Sequence, residues 1–204
     1  MMKKLKTLSF CLPLAVLGLT ACGEDEADNG NGGDEGVETI TQVILTFTAA
    51  GGGDTVATWT DQDGQGGMAP TITPITLVAD ETYSLAIRLL DTTNPADIEN
   101  ITEEIQEEDD EHQFFFEGTG VDSETFTGSN PLVTVSYADF DGNGRPLGLS
   151  ADIDNVTAGM GETFVVLLKH QPPVNGQPVK TDTSDRNTGD TDVEATFDLI
   201  VTGT

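Results

Sequence analysis

An all-β fold, a sandwich or barrel of about eight strands with one short acidic helix, is what three features of this chain predict. Apolar and polar residues alternate over short runs, as they do on a strand with one buried face. Those runs are rich in Thr, Val, Ile and aromatics, which suit a pleated, half-buried surface. Between them lie clusters of Gly, Asp and Asn, the residues of tight turns.

The first strand pair is the clearest. In residues 42–48, Val43, Leu45 and Phe47 fall on one side, and a Gly-rich turn at 51–54 leads into a second run at 55–60. This is the pattern of a hairpin with a longer loop. Further strands are predicted at 71–78, 82–90, 113–117, 132–137, 147–153, 163–170 and 193–201. Phe114, Phe115 and Phe116 read as a buried strand.

Residues 94–111 break the alternation. Ile98, Ile101 and Ile105 recur at helical spacing after Pro95, among seven acids running from Glu103 to Glu111. That pattern predicts an amphipathic helix over 94–111 with its isoleucines on the sheet. The chain also echoes itself, Trp59-Thr60-Asp61 before Asp63 and Gly64 matching Tyr137-Ala138-Asp139 before Asp141 and Gly142. Glu81-Thr82-Tyr83 likewise matches Glu162-Thr163-Phe164. Two related halves, 39–120 and 121–204, are therefore expected to pack as one domain.

The N-terminus has a different logic. Lys3, Lys4 and Lys6 precede an apolar run of about a dozen residues that contains Pro13, too short for the ~20 residues of a membrane span. Residues 1–21 thus read as a cleaved leader. Leu19-Thr20-Ala21-Cys22 resembles the bacterial lipobox, which implies cleavage before Cys22 and acylation of its thiol, palmitate included. Anchoring through more than one acyl chain would hold the protein stably on a membrane. Cys11 leaves with the leader, so a mature chain has no cysteine to pair with Cys22.

Residues 22–36 lack any apolar side chain larger than Ala after the cysteine and read as a flexible acidic tether to a β-rich domain at 37–204. Glu24, Asp25 and Glu26 resemble the acidic signal that carries some lipoproteins to the outer face of the outer membrane. As a whole the chain resembles the small β-rich envelope lipoproteins of Gram-negative bacteria that depend on outer-membrane receptors for nutrient uptake. That resemblance implies a surface-exposed lipoprotein of the cell envelope, accessory to such a receptor.

Charge narrows the partners. The chain has 8 Lys and Arg against 36 Asp and Glu, and loss of the leader lysines brings its net charge to about −31. Nucleic acid is excluded as a partner, because phosphate binding depends on neutralising Lys and Arg. Cations and cationic ligands remain.

Two stretches have the spacing of cation loops. Asp139, Asp141 and Asn143 before Gly144 resemble the first half of an EF-hand-like calcium loop, although its twelfth position is Ser150 rather than a glutamate. Asp61, Asp63 and Gln65 repeat the spacing with glutamine in the fifth place. The alternative for both is an ordinary acidic turn. A second candidate centre consists of Glu108, His112 and His170, whose imidazoles and carboxylate suit zinc or a similar divalent ion. No nucleophile elbow, phosphate loop or His-Glu-x-x-His pair is present, so a non-enzymatic ligand- or partner-binding module is expected. The alternative function is a calcium-stabilised structural or adhesive module.

The lipobox reading has a direct check. Cys22→Ala should leave the precursor uncleaved and unlabelled by a clickable palmitate analogue in cells, whereas equal labelling of variant and wild type contradicts it.

Overall fold

The structure, a computed structural model, describes residues 38–63 and 67–204. The leader, the tether with Cys22, and Gln65 lie outside the described residues. What is described is an all-β fold of eleven strands in two sheets with one short helix.

The larger sheet grows from β1 (Gln42–Ala49), whose inward residues Val43, Leu45 and Phe47 are fully buried. It pairs antiparallel with β2 (Asp54–Thr60) and with β5 (Tyr83–Leu90). The β1–β5 register sets Val43 beside Leu89, Leu45 beside Ile87 and Phe47 beside Leu85. Matching periods thus give one continuous apolar face. Beyond these come the two-residue β3 (Thr71–Ile72) on one side, and β9 (Ser150–Asp154), β8 (Val133–Tyr137) and β7 (Val121–Ser123) on the other.

The smaller sheet runs in the order β4 (Ile75–Val78), β11 (Asp190–Thr202), β10 (Gly159–His170), β6 (His112–Glu117). Its inward aromatics meet those of the larger sheet. Phe164 of β10 packs edge-on to Phe47 of β1, with ring centroids 6.2 Å apart, and Phe116 of β6 lies 5.7 Å from Tyr137 of β8. Tyr137 also satisfies its own hydroxyl by donating to the Phe114 carbonyl at 2.7 Å. Aromatic pairs of this kind add to the large area that each ring removes from water.

Three expectations change in detail. The run at 71–78 is two strands in two sheets, because Pro74 has no N–H with which to continue a ladder and the chain crosses there from β2's edge to β11's. The expected helix at 94–111 shrinks to α1 (Ile101–Glu107). Asn94 folds residues 94–97 into a turn, and Asp91 and Glu99 exchange backbone hydrogen bonds at 3.1 Å, which leaves Ile98 half exposed. Glu103/Glu107 and Glu104/Glu108 repel at four-residue spacing, with no basic residue in the last turn. Ile101 and Ile105 are buried, and the Thr102 hydroxyl takes the Leu89 N–H at 2.8 Å, tying α1 to β5.

The third concerns the two halves. The segments ending at Thr60 and Tyr137 both belong to the larger sheet, but β5 and β10, the other matched pair, lie in different sheets. The matched strands therefore do not occupy equivalent places.

Candidate metal centre

Antiparallel pairing of β6 with β10 runs through six rungs, from Glu117 opposite Val165 to His112 opposite His170. Alternation along β6 puts His112 on the same side as the core residues Phe114 and Phe116. On β10, His170 shares its side with Leu168, Val166 and Phe164. The two histidines are thus the last rung of the inward face. Their rings stack, with centroids 4.5 Å apart and planes within 3° of parallel, and both are buried.

Carboxylates surround the pair. The turn that follows α1 returns Glu108 to the Nδ1 edge of His112, where its carbonyl oxygen is 3.2 Å away and its carboxylate 4.0 Å. On the opposite edge, Nε2 of His112 lies 3.7 Å from Oδ2 of Asp192, with both side chains fully buried. Glu111 reaches to 3.6 Å from Nε2 of His170. Asp192 is there because of a register shift, since Leu168 pairs with Val193 and Lys169 with Thr191, which leaves Asp192 as the extra residue of a bulge. Bulges re-aim a side chain in this way.

The cluster is short of partners. His112 Nε2 and His170 Nε2 are buried without a hydrogen bond of normal geometry, and the buried Asp192 carboxylate is approached by the Glu38 backbone. Buried polar atoms are nearly always paired, and the carboxylates nearest these nitrogens, Asp192 at His112 and Glu111 at His170, stand just beyond hydrogen-bond distance. Burial sets the protonation as well. It pushes the His112 imidazole down to about 4, with the neighbouring Lys180 ammonium adding to the effect and the Glu108 carbonyl opposing it. Burial, then the neighbouring Glu38 carboxylate, pushes Asp192 up to about 7, against the Glu38 backbone and Lys169.

Donor atoms of Glu108, His112 and His170 all lie within 4.8 Å of one another. A tetrahedral ion with bonds of about 2.0–2.1 Å needs neighbouring donors about 3.4 Å apart, so Glu108 and His112, at 4.0 Å, must draw closer to bind one. Ring lone pairs lie in the ring planes, and two parallel planes do not meet. Capture of a shared ion therefore tilts the imidazoles toward each other.

The two acidic loops are placed differently. Asp141 Oδ1 takes the N–H groups of Asn143 and Arg145, each at 2.8 Å, and Asp139 Oδ1 takes that of Gly148 at 2.8 Å. Asp141 Oδ2 faces the ammonium of Lys180 at 3.2 Å, with both side chains fully buried. The positive charge next to this turn is thus an internal lysine, and although burial pushes the Asp141 carboxyl up, the N–H groups of Arg145 and Asn143 and the Lys180 ammonium outweigh it and hold the carboxyl below the ordinary range. In the other loop, Asp63 Oδ2 takes the Met68 N–H at 2.8 Å, while Asp61 Oδ1 is buried without a partner.

Lys180 ties the Asp141 turn to the centre, since its ammonium also donates to the Asp109 carbonyl at 2.7 Å, three residues before His112. Sequence reasoning found the three donors of the centre but missed Asp192, Glu111 and Lys180. The available signal for Asp192 was a polar residue at the entry to an apolar strand. For Lys180 it was scarcity, one of only five cations outside the leader.

No family model, curated protein or solved structure matches this chain. The molecule is defined by what it contains: a two-sheet β fold that ends in a buried, carboxylate-flanked histidine pair.

Opposed shifts on touching residues fix a pH signature. Unfolded histidine binds a proton below about 6.5, but folded His112 refuses it until about 4, so alone it makes stability fall as pH drops from 6.5 to 4. Asp192, raised from 3.8 to about 7, does the reverse, since the folded state holds the extra proton. In the wild type the two cancel between pH 4 and 6.5. Asp192→Asn should expose the His112 contribution, a loss relative to wild type of about 3 kcal/mol between pH 6.5 and 4 in urea melts. Identical pH profiles for the two proteins would contradict the assignment.

Proposed function

We propose that this chain is a lipid-anchored, non-enzymatic module of the bacterial envelope that binds a divalent transition-metal ion through Glu108, His112 and His170. The observation that carries the reading is the buried, stacked histidine pair, with donor atoms of both rings and of the Glu108 carboxylate gathered at one place. Imidazole nitrogen with carboxylate oxygen is a donor set for zinc and its neighbours, whereas calcium takes six to eight oxygens. The lipobox residues ending at Cys22 and the acidic tether support anchoring on a membrane, with the domain held at its surface. The net charge of about −31 favours approach of cations to that surface. Such a module fits an accessory that presents or holds an ion for an outer-membrane uptake receptor.

A second reading, a calcium-stabilised structural or adhesive module, is favoured by one observation. The unpartnered Asp61 Oδ1 lies beside Asp63 in a shallow cleft that also holds Met68 and Thr71. The two readings separate by titration calorimetry on the full chain in detergent. Zinc should bind with one ion per chain, His112→Gln or His170→Gln should weaken it at least 100-fold, and Glu108→Gln should weaken it less. Calcium should give no comparable heat. Equal zinc binding by wild type and a His112→Gln/His170→Gln double variant would overturn the metal reading, and tight calcium binding lost in Asp61→Asn would favour the second.

A further inference from the structure

We infer that Asp192 is a positioning residue for this centre: it accepts the Nε2–H of His112 and so commits that imidazole to bind its ion through Nδ1. The inference rests on the metal-binding reading and assigns its internal geometry. Glu108, the carboxylate of the donor set, stands on the Nδ1 edge of His112 at 4.0 Å. Asp192 stands on the Nε2 edge at 3.7 Å. The two ring nitrogens point away from each other, so one ion cannot touch Nε2 of His112 and still be reached by Glu108. An ion shared with Glu108 binds Nδ1, and Nε2 then carries the proton.

A buried N–H requires an acceptor, and Asp192 is placed to be one. Its carboxylate is fully buried, and besides the Glu38 backbone that approaches it, the Nε2 edge of His112 is the nearest imidazole it faces. The β11 bulge is what turns it toward the ring. Metal-bound histidines generally donate their second N–H to such a group, which fixes the tautomer and makes the ligand more basic. In the metal-free protein the 3.2 Å contact of Nδ1 with the Glu108 carbonyl favours a proton on Nδ1. Ion binding must displace it. The proton count stays balanced, because the neutral ring gives up the Nδ1 proton and gains one on Nε2, where Asp192 receives it as a hydrogen bond.

Long-range proton–nitrogen spectra of the full chain, labelled with ¹⁵N-histidine and given one equivalent of zinc, read the tautomer of His112 directly. The expected result is zinc on Nδ1 with Nε2 protonated. Asp192→Ala should weaken zinc about 10- to 100-fold while leaving the melting temperature of the metal-free protein unchanged or higher. A purely structural Asp192 would lower that temperature and leave zinc affinity alone. Asp192→Asn, which keeps an acceptor oxygen and the side-chain size, should retain Nδ1 ligation. Zinc on Nε2 of His112, or full affinity in Asp192→Ala, overturns the inference and leaves the metal reading standing. A wild type that takes up no zinc removes both.

Discussion

Everything at the candidate centre depends on the register in which β6 pairs with β10. The ladder that aligns Phe116 with Val166 and Phe114 with Leu168 also aligns His112 with His170. Because strand side chains alternate with period two, a slip of one residue would turn the aromatics and the histidines out of the core together. The same apolar packing that selects the fold therefore selects the histidine pair. The core drives the register through Phe47, Phe116, Tyr137 and Phe164, which link the two sheets. The histidines are carried along as its last rung.

Holding carboxylates near that rung is a problem of charge. The end of α1 and the turn after it concentrate Glu107, Glu108, Asp109, Asp110 and Glu111, which repel one another, in a chain with few cations. Lys180 answers part of it from inside. Its ammonium binds the Asp109 carbonyl and pairs with Asp141, joining the acidic turn, the β8–β9 connection and the segment between β10 and β11. A buried pair of this kind adds little net stability over apolar residues, but loss of one partner is costly, so its value lies in fixing geometry. Arg186 makes a second tie from the same segment, pairing with Glu117 at the far end of β6.

Much of this was legible in the sequence. The alternation of Val43, Leu45 and Phe47, and of Tyr83, Leu85, Ile87 and Leu89, is local and survives in the folded sheets. Glu108 and His112 do come together, but by another route, since the four-residue spacing suggested a helix and a turn after Glu107 does the work. The pairing of His112 with His170 needs a ladder between strands far apart in sequence, which spacing does not reveal. Asp192 was hidden for the same reason, because a bulge is a property of two strands together. Asp139 and Asp141 showed calcium-like spacing, yet that spacing is shared by turns whose carboxylates take backbone N–H groups. Only the position of Lys180 distinguishes the two, and the lysine lies 39 residues beyond Asp141.

The centre as it stands is a set of donors a little too far apart, with two stacked rings whose planes must tilt before an ion can sit between them. That is a definite structural claim about what metal uptake does, and X-ray absorption at the zinc edge on the zinc-loaded full chain tests it most directly. The account predicts two imidazole nitrogens, recognisable by their outer-shell scattering, and carboxylate oxygen at about 2.0–2.1 Å. A shell of oxygen alone, without imidazole scattering, would place the ion elsewhere on this acidic surface and contradict the account.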